Sequence, residues 1–187
     1  MTTTTRPVTT TRPPTTVPRT TTTSVITDAT KADRKALTSQ LQAVVDRYQA
    51  LYLLSRSDPN RPFTDPKLIN EFSQVASEDV IARLIQSWQR FRAEGSAARL
   101  GPSKQARFFL APAAVSSARR VTTTYCLLDD AVLYRFSDGA VLDGNAFVAR
   151  GEFDFELSAS GWHISDYRKS GRVEIPAGST NPCPRER

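Results

Sequence analysis

This 187-residue chain has few of the residue types on which catalytic and metal centres most often depend. It contains one histidine and two cysteines, and they do not form the paired spacing of a zinc site. It has no HExxH motif, no glycine-rich phosphate-binding loop and no serine nucleophile elbow. No apolar run approaches the roughly 20 residues that cross a bilayer. The sequence therefore predicts neither a metal nor a cofactor, and it does not indicate a reaction.

The net charge of +6 resembles that of a nucleic-acid-binding protein, but its distribution argues against that function. Arg6, Arg12 and Arg19 all precede Asp28, the first acidic residue, so they supply about half of the excess. In the rest of the chain, lysine and arginine are interspersed with aspartate and glutamate. We therefore expect a solvated basic surface and no nucleic-acid partner.

Residues 1–28 consist mainly of threonine, with arginine and proline between. Such a segment buries too little to offset its chain entropy, so we predict a disordered spacer that holds a domain away from a membrane or wall. The alternative is an inert terminus. The threonines after Met1 do not resemble a secretory signal peptide, and we expect a signal or membrane anchor upstream of this sequence.

Three amphipathic helices are predicted next. The first begins near Ala29 with Thr30 and Asp33 as a capping box, and it ends before Pro59. Its apolar face is Leu37, Leu41, Val44, Val45, Tyr48, Leu51 and Tyr52. The second begins at the N-cap Asp65, and the third runs from the N-cap Ser77 to Gly95. Its apolar face is Val80, Ile81, Leu84, Ile85, Trp88 and Phe91.

Strand patterns occupy the second half of the chain. We predict strands over residues 107–110, 121–128, 131–136, 140–142, 147–157 and 162–167. The longest, from Phe147 to Leu157, alternates apolar and polar residues, which is typical of a strand with one buried and one wet face. Asp129 and Asp130 are expected in a turn, and Ser137 to Gly139 in a hairpin.

Three helices followed by four to six antiparallel strands predict an α+β domain over residues 29–170, with the helices on one face of a strongly curved sheet. We expect residues 171–187 to form an irregular tail. The order of these elements and the closing segment from Ser160 to Tyr167 resemble the nuclear transport factor 2-like superfamily, which includes the SnoaL-like and ketosteroid-isomerase-like proteins. The segment from Tyr125 to Val132 resembles a subgroup of exported actinobacterial members, which carry one cysteine in a strand and another in a tail.

Cys126 and Cys183 are interpreted as one disulfide, because an even and minimal cysteine count in an exported protein favours a single bond. The alternative is two reduced thiols in a cytosolic protein. Cys126 shares its strand face with Thr122 and Thr124, opposite Tyr125. It is therefore free to meet the tail rather than the core. An extracellular or envelope location is predicted, with a cytoplasmic one as the alternative.

The resemblance implies a conical fold with an apolar cavity. Its lining would come from Tyr48, Tyr52, Trp88, Tyr125 and Trp162, although these side chains are expected to fill the space rather than leave it open. His163 and Asp166 match the residue types of a dehydratase pair. On a regular strand they point to opposite faces, so we expect no catalytic dyad and His163 facing outward.

Three functions remain open. The preferred one is a non-catalytic domain of the cell envelope, acting in assembly or in the capture of a small apolar ligand or a protein. The second is an isomerase-like or dehydratase-like enzyme with its acid-base residue inside the cone. The third is an interaction module, since many members of the superfamily form homodimers.

Overall fold

The computed structural model describes residues 31–58, 60–62, 64–101 and 106–183, which form three helices and eight strands. The helices precede the strands and are α1 (Lys31–Ser57), α2 (Pro66–Ser73) and α3 (Glu78–Ala93). The predicted α+β class and its three helices are thus confirmed. The predicted spacer over residues 1–28 and the capping Thr30 lie outside the described residues.

The short helices begin where the capping residues predict. The Asp65 carboxylate accepts hydrogen bonds from the backbone N–H groups of Lys67 and Leu68, at 3.0 and 3.4 Å. Ser77 accepts one from the N–H of Val80 at 3.4 Å. These side chains satisfy N–H groups that have no partner within the helix.

A five-stranded antiparallel sheet forms the larger layer of the described residues. Its strands are β2 (Arg107–Leu110), β3 (Ala114–Ser117), β4 (Arg120–Asp129), β7 (Ala146–Ser158) and β8 (Gly161–Ile175). The order is β2-β4-β7-β8, and β3 also pairs with β4. Since β7 pairs along the whole of β4, the short β2 and β3 follow one another along its other edge.

A separate three-stranded sheet holds the remaining described strands, β1 (Ser96–Arg99), β5 (Val132–Arg135) and β6 (Val141–Asp143), in the order β1-β5-β6. The expectation of a single sheet was wrong, because β5 pairs with the unpredicted β1 rather than with β4. The predicted hairpin between β5 and β6 is confirmed, with Gly139 at a φ of 73°.

Strand β8 extends to Ile175. The predicted end of the last strand at Tyr167 was therefore wrong, and the irregular tail, expected from residue 171, begins after residue 175. The register of β8 against β7 shifts twice. One shift lies between the partners of Asp154 and Phe155, and the other lies between the partners of Arg150 and Gly151. Each shift leaves one extra residue in β8, first Ser165 and then Ser170. Bulges of this kind bend a strand and interrupt its alternation, which hid the second half of β8 from pattern recognition.

The helices cover one face of the large sheet, here called the inner face. The main core includes Phe72, Val80, Phe153, Phe155 and Ile164, all of them fully or almost fully buried. A smaller second cluster contains Cys126, Leu128 and Cys183. Because Cys126 and Leu128 alternate along β4 with the core residues Tyr125 and Leu127, this second cluster lies on the opposite, outer face.

Candidate functional site

The inner face of the large sheet encloses an open cavity of about 460 Å³. Along β7 the inward residues are Phe147, Ala149, Gly151 and Phe153, which places two small residues between two large rings. The rings of Phe147 and Phe153 line the ends of the space that Ala149 and Gly151 leave free. The volume lies in the range of pockets that bind small molecules. The expectation that side chains fill the interior was therefore wrong.

Gly151 is essential to the shape of this cavity. A Cβ atom at this position would lie 1.9 Å from the carbonyl oxygen of Arg168 and 2.7 Å from the hydroxyl oxygen of Tyr125. The Tyr125 side chain therefore lies directly over the glycine backbone. Its ring packs 4.7 Å from that of Phe153 and 5.0 Å from that of Phe108, measured between centroids.

The Tyr125 hydroxyl lacks a hydrogen-bond partner among the described residues, although the side chain is only 3% exposed. Burial raises the pKa of Tyr125 to about 12, with a smaller contribution from Tyr167. The hydroxyl therefore keeps its proton at neutral pH. A buried polar group without a partner is costly in a folded protein, and bound molecules commonly satisfy such groups.

Helix α1 supplies the opposite wall with Tyr48, Tyr52 and Arg56, which lie four residues apart and so share one face. Burial raises the pKa of Tyr48, and the neighbouring Tyr167 adds to this effect. Arg56 donates a hydrogen bond of 3.0 Å to the Tyr52 hydroxyl. The wall is thus aromatic along most of its length and cationic at the end of the helix.

Arg56 is held firmly by its neighbours. Its guanidinium carbon lies 4.0 Å from the ring centroid of Phe91 and 5.2 Å from that of Tyr52. Aromatic faces attract cations, so both rings fix its orientation. Within the described part of the chain, its Nε atom is buried and has no hydrogen-bond partner. One donor of a positioned cation is therefore unused.

Asp129, the last residue of β4, contributes a buried carboxyl to the cavity wall. Its Oδ1 accepts a hydrogen bond of 2.9 Å from the backbone N–H of Ala131. Burial raises the pKa of Asp129, and neighbouring Asp130 adds to this effect, while Arg56 and Lys169 oppose it. Asp129 was expected in a turn, but it is the last residue of β4 and is buried. The alternation of Tyr125, Leu127 and Asp129 along β4 is the signal that places it inward.

Basic residues surround the exposed end of the cavity, where Arg90, Lys169 and Arg172 all have solvent-accessible side chains. Lys169 and Arg172 pair with Gly151 and Ala149 in the register of β7 and β8, so both face inward. The guanidinium of Arg172 lies 4.1 Å from the ring centroid of Phe147. Partial burial lowers the pKa of Lys169, although Asp129 opposes the shift.

The five predicted lining residues divide into two groups. Tyr48, Tyr52 and Tyr125 line the cavity. Trp88 is buried against Phe72, with ring centroids 6.0 Å apart, and borders a separate small void. Trp162 is the second residue of β8, where it pairs with Leu157 and packs against the core. Neither tryptophan therefore belongs to the site, while the charged residues Arg56, Asp129, Lys169 and Arg172 do.

The pair of His163 and Asp166 differs from expectation in one respect. Their register partners Glu156 and Asp154 lie two residues apart on β7 and share its outer face. The bulge at Ser165 therefore places His163 and Asp166 on that same face, which corrects the prediction of opposite faces. Asp166 binds Arg83 at 2.6 Å and Arg168 at 3.2 Å instead of the imidazole. His163 faces outward, as predicted.

The predicted disulfide between Cys126 and Cys183 is present, with Cα atoms 5.5 Å apart. It fastens the tail to the outer face of β4, where Phe109, Val148 and Ile175 pack around it. Among the described residues we find no group of three or more histidine, cysteine, aspartate or glutamate side chains that could hold a metal ion. None of the described helices combines the length and apolar composition needed to cross a membrane.

No family model matches the chain, and no curated protein has a significantly similar sequence. Solved structures with a similar arrangement include the intermembrane space region of the chloroplast protein ARC6, at a TM-score of 0.48 and 15% identity over 71% of this chain and 95% of that one. A Kribbella flavida protein reaches 0.42 and 14% over 75% and 95% of the two chains. An NTF2-like protein with a cystatin-like fold from Novosphingobium aromaticivorans reaches 0.38 and 16%, over 77% and 90%. With TM-scores below 0.5, these likenesses carry no argument about function.

Proposed function

We propose that the chain is an exported, non-catalytic domain of the nuclear transport factor 2-like superfamily that captures a small molecule in its interior. The observation that carries this proposal is the open cavity of about 460 Å³ between the helices and the large sheet. Protein interiors are normally packed without voids larger than a water molecule. A space of this size, with the exposed residues Lys169 and Arg172 in its lining, therefore supports a role in binding a small molecule.

The polar groups of the cavity support capture of a ligand. The Tyr125 hydroxyl and the Arg56 Nε are both buried without partners among the described residues. A ligand that offers acceptors to these donors would offset the cost of burying them. The surrounding rings of Phe108, Phe147 and Phe153 supply apolar contact. A lining that combines aromatic and aliphatic side chains with placed polar groups is typical of small-molecule sites.

Export is supported by the disulfide, because such bonds persist in oxidising compartments and are rare in the cytosol. The resemblance to exported actinobacterial proteins and a spacer over residues 1–28 belong to the same proposal. The test is the redox state of Cys126 and Cys183 in protein taken from its native compartment, by peptide mapping with and without reductant. A linked peptide supports export, and two free thiols in folded protein would overturn it.

Asp129 favours a second candidate function, an enzyme of the isomerase or dehydratase type. A buried carboxyl with a raised pKa in a real cavity is the arrangement that general acid-base catalysis uses. In that function Asp129 would move a proton of the substrate, and the Tyr125 hydroxyl would donate a hydrogen bond to developing negative charge. Capture and catalysis therefore use the same cavity and differ in what happens to its contents.

One experiment separates the two functions. Protein purified from its native host is denatured, and the released small molecules are identified by mass spectrometry. The isolated molecule is then incubated with fresh wild-type protein and with Asp129→Asn. Capture predicts that the molecule binds stoichiometrically and is recovered unchanged from both proteins. Conversion by the wild type but not by Asp129→Asn would replace capture with catalysis.

The interaction module stays a prediction. An apolar outer face of the large sheet would have favoured it, but Arg168 binds Glu152, Asp154 and Asp166 there at 2.7–3.2 Å. Exposed apolar side chains lie around the β5–β6 hairpin, at Phe136, Val141 and Leu142, and Val173 of β8 is exposed on the outer face of the large sheet. The mass of the protein in solution, measured by light scattering after gel filtration, tests for a homodimer.

A further inference from the structure

The charge of the cavity identifies the class of molecule that it would hold. Four basic side chains line it, namely those of Arg56, Arg90, Lys169 and Arg172. They face two carboxyl groups, Asp129 and Asp143. The lining thus carries two excess positive charges when all of these groups are ionised. A cleft lined by one sign of charge attracts ligands of the opposite sign.

The carboxyl groups do not cancel this excess. The nearest approach of Asp143 to Arg172 is 4.0 Å, and Glu174 lies 3.7 Å from the same guanidinium, so both are weak exposed pairs. The charges of Arg56 and Lys169 both favour the ionised form of Asp129, but burial has the larger effect and favours its neutral form. Among the described residues, no ion pair within 4 Å engages Lys169.

Among the basic residues of the cavity, Arg56 has the side chain that is best positioned to bind a ligand. Phe91 and Tyr52 fix its guanidinium, Tyr52 accepts one of its hydrogen bonds, and its buried Nε has no partner among the described residues. An ionised acceptor forms a stronger hydrogen bond with such a donor than a neutral acceptor does. A carboxylate, with two oxygens in one plane, fits a guanidinium especially well.

The aromatic end of the cavity determines what kind of group the ligand can carry besides its charged head. Tyr125 and Asp129 share one face of β4 and lie four residues apart, which separates them by about 13 Å along the strand. The side chains of Phe108, Phe153, Tyr48 and Tyr167 surround the Tyr125 end. That end accepts an apolar body, and the Tyr125 hydroxyl can reach one polar atom on it.

We infer that the cavity selects amphipathic anions: an apolar or aromatic body packs at the Tyr125 end, and a carboxylate-like head binds Arg56 beside Lys169 and Arg172. This inference rests on the proposed function, since it requires the cavity to hold a ligand. The body is limited by the cavity volume of about 460 Å³. Cationic molecules of the same shape are excluded by the basic residues at the entrance.

The test uses three probes with one body and different heads: 4-phenylbutanoate, 4-phenylbutanol and 4-phenylbutylamine. Each is titrated into the isotope-labelled full chain, and NMR shifts of cavity amides give the affinity. We expect the carboxylate to bind about tenfold more tightly than the alcohol, because hydrogen bonds to charged groups are the stronger ones. The amine is expected to bind most weakly.

Variants assign the selectivity to Arg56. Arg56→Met keeps a long unbranched side chain but removes the guanidinium, so it should weaken 4-phenylbutanoate by about tenfold and 4-phenylbutanol much less. Arg56→Lys should restore part of the preference for the anion. Arg168→Met is the matched control, since it removes an exposed arginine from the outer face and should change neither affinity.

The outcomes distinguish this inference from the function on which it rests. If all three probes bind with equal affinity, the preference for anions is overturned, and the capture of small molecules stands. If none of them shifts the cavity amides, both proposals are overturned. If Arg56→Met weakens the acid and the alcohol equally while Arg56→Lys does not restore the difference, Arg56 has only a structural role and the assignment of the head group is overturned.

Discussion

The two faces of the large sheet are built from the same strands but serve different purposes. On the inner face, Ala149 and Gly151 leave an open space that aromatic and charged residues surround. On the outer face, the Cys126–Cys183 bond and a small apolar cluster fasten the tail, and Arg168 joins three carboxylates. A cavity removes packing contacts from the inner face. The outer face therefore supplies stability without occupying the site.

The largest expected effect on stability comes from removing the disulfide on the outer face. Replacing both Cys126 and Cys183 with serine should lower the free energy of unfolding by about 4 kcal/mol, on the loop-entropy model for cysteines 57 residues apart. Urea unfolding measures this loss. Because the bond lies away from the cavity, the folded fraction should still bind 4-phenylbutanoate. A wild-type unfolding midpoint that does not change on reduction would contradict this prediction.

The next effect comes from filling the inner face. Gly151→Ala should lower the free energy of unfolding by about 3 kcal/mol, because its Cβ would meet the Arg168 carbonyl oxygen at 1.9 Å. It should also displace Tyr125 and reduce probe binding. Gly171→Ala is the matched control, since no atom lies within 4 Å of its Cβ. Its stability should stay within about 0.5 kcal/mol of the wild type, and equal losses for both variants would refute the steric argument.

Weakening the charge network of the outer face should have a smaller effect. Arg168→Met removes the partner of Glu152, Asp154 and Asp166, all of them partly exposed. We expect a slight loss of stability in low salt that disappears at 1 M NaCl, since salt screens exposed pairs. Thermal unfolding at both salt concentrations measures it. A loss that persists in high salt would mean that the arginine acts through packing.

The smallest change in stability concerns the inner carboxyl and depends on pH. The folded chain holds the proton of Asp129 more tightly than the unfolded chain, because burial raises its pKa above the ordinary 3.8. As pH rises from about 4 towards that raised pKa, the contribution of Asp129 to the stability of the wild type therefore decreases. Asp129→Asn is free of this loss, so its stability relative to the wild type should increase with pH.

Asp138→Asn provides the control with the opposite sign. The N–H of Ala140 donates a hydrogen bond to the Asp138 carboxylate, and together with Arg135 it lowers the pKa of that group. The wild type therefore gains stability from ionised Asp138 as pH rises, and the variant should become relatively less stable. Urea unfolding at pH 4 and pH 7 compares the two variants. Parallel changes with pH would show that neither effect arises from these carboxyl groups.

Local chemistry made much of the fold predictable. Asp65 and Ser77 act directly on the N–H groups of the next turn, so sequence alone located the starts of both short helices. The alternation from Phe147 to Leu157 likewise predicted the inward residues of β7. The alternation also placed the small residues Ala149 and Gly151 on the inward face. Whether they leave a cavity depends on the side chains opposite them across the interior, and the sequence of one strand does not show those side chains.

The charged part of the site was missed for two physical reasons. Asp129 follows a strand and precedes another acidic residue, and such pairs are common in exposed turns, so its burial became visible only with tertiary packing. Lys169 lies beyond the extra residue Ser165, and Arg172 lies beyond both Ser165 and Ser170, and each extra residue breaks the period of two. The disulfide could be predicted, because it depends on residue type and compartment more than on exact geometry.

Each of the two extra residues of β8 changes which residues of this strand face inward. Its inward residues are even-numbered at Ile164, odd-numbered at Tyr167 and Lys169, and even-numbered again at Arg172. Deleting the extra residue Ser170 should make the alternation regular and leave Arg172 opposite Ala149. Deleting a residue that pairs with β7, such as Arg168, should instead turn Lys169 to the outer face. Loss of an extra residue should therefore be tolerated better than loss of a paired one. Relatives that keep the cavity are expected to keep the number of paired residues in this segment even where its side chains differ.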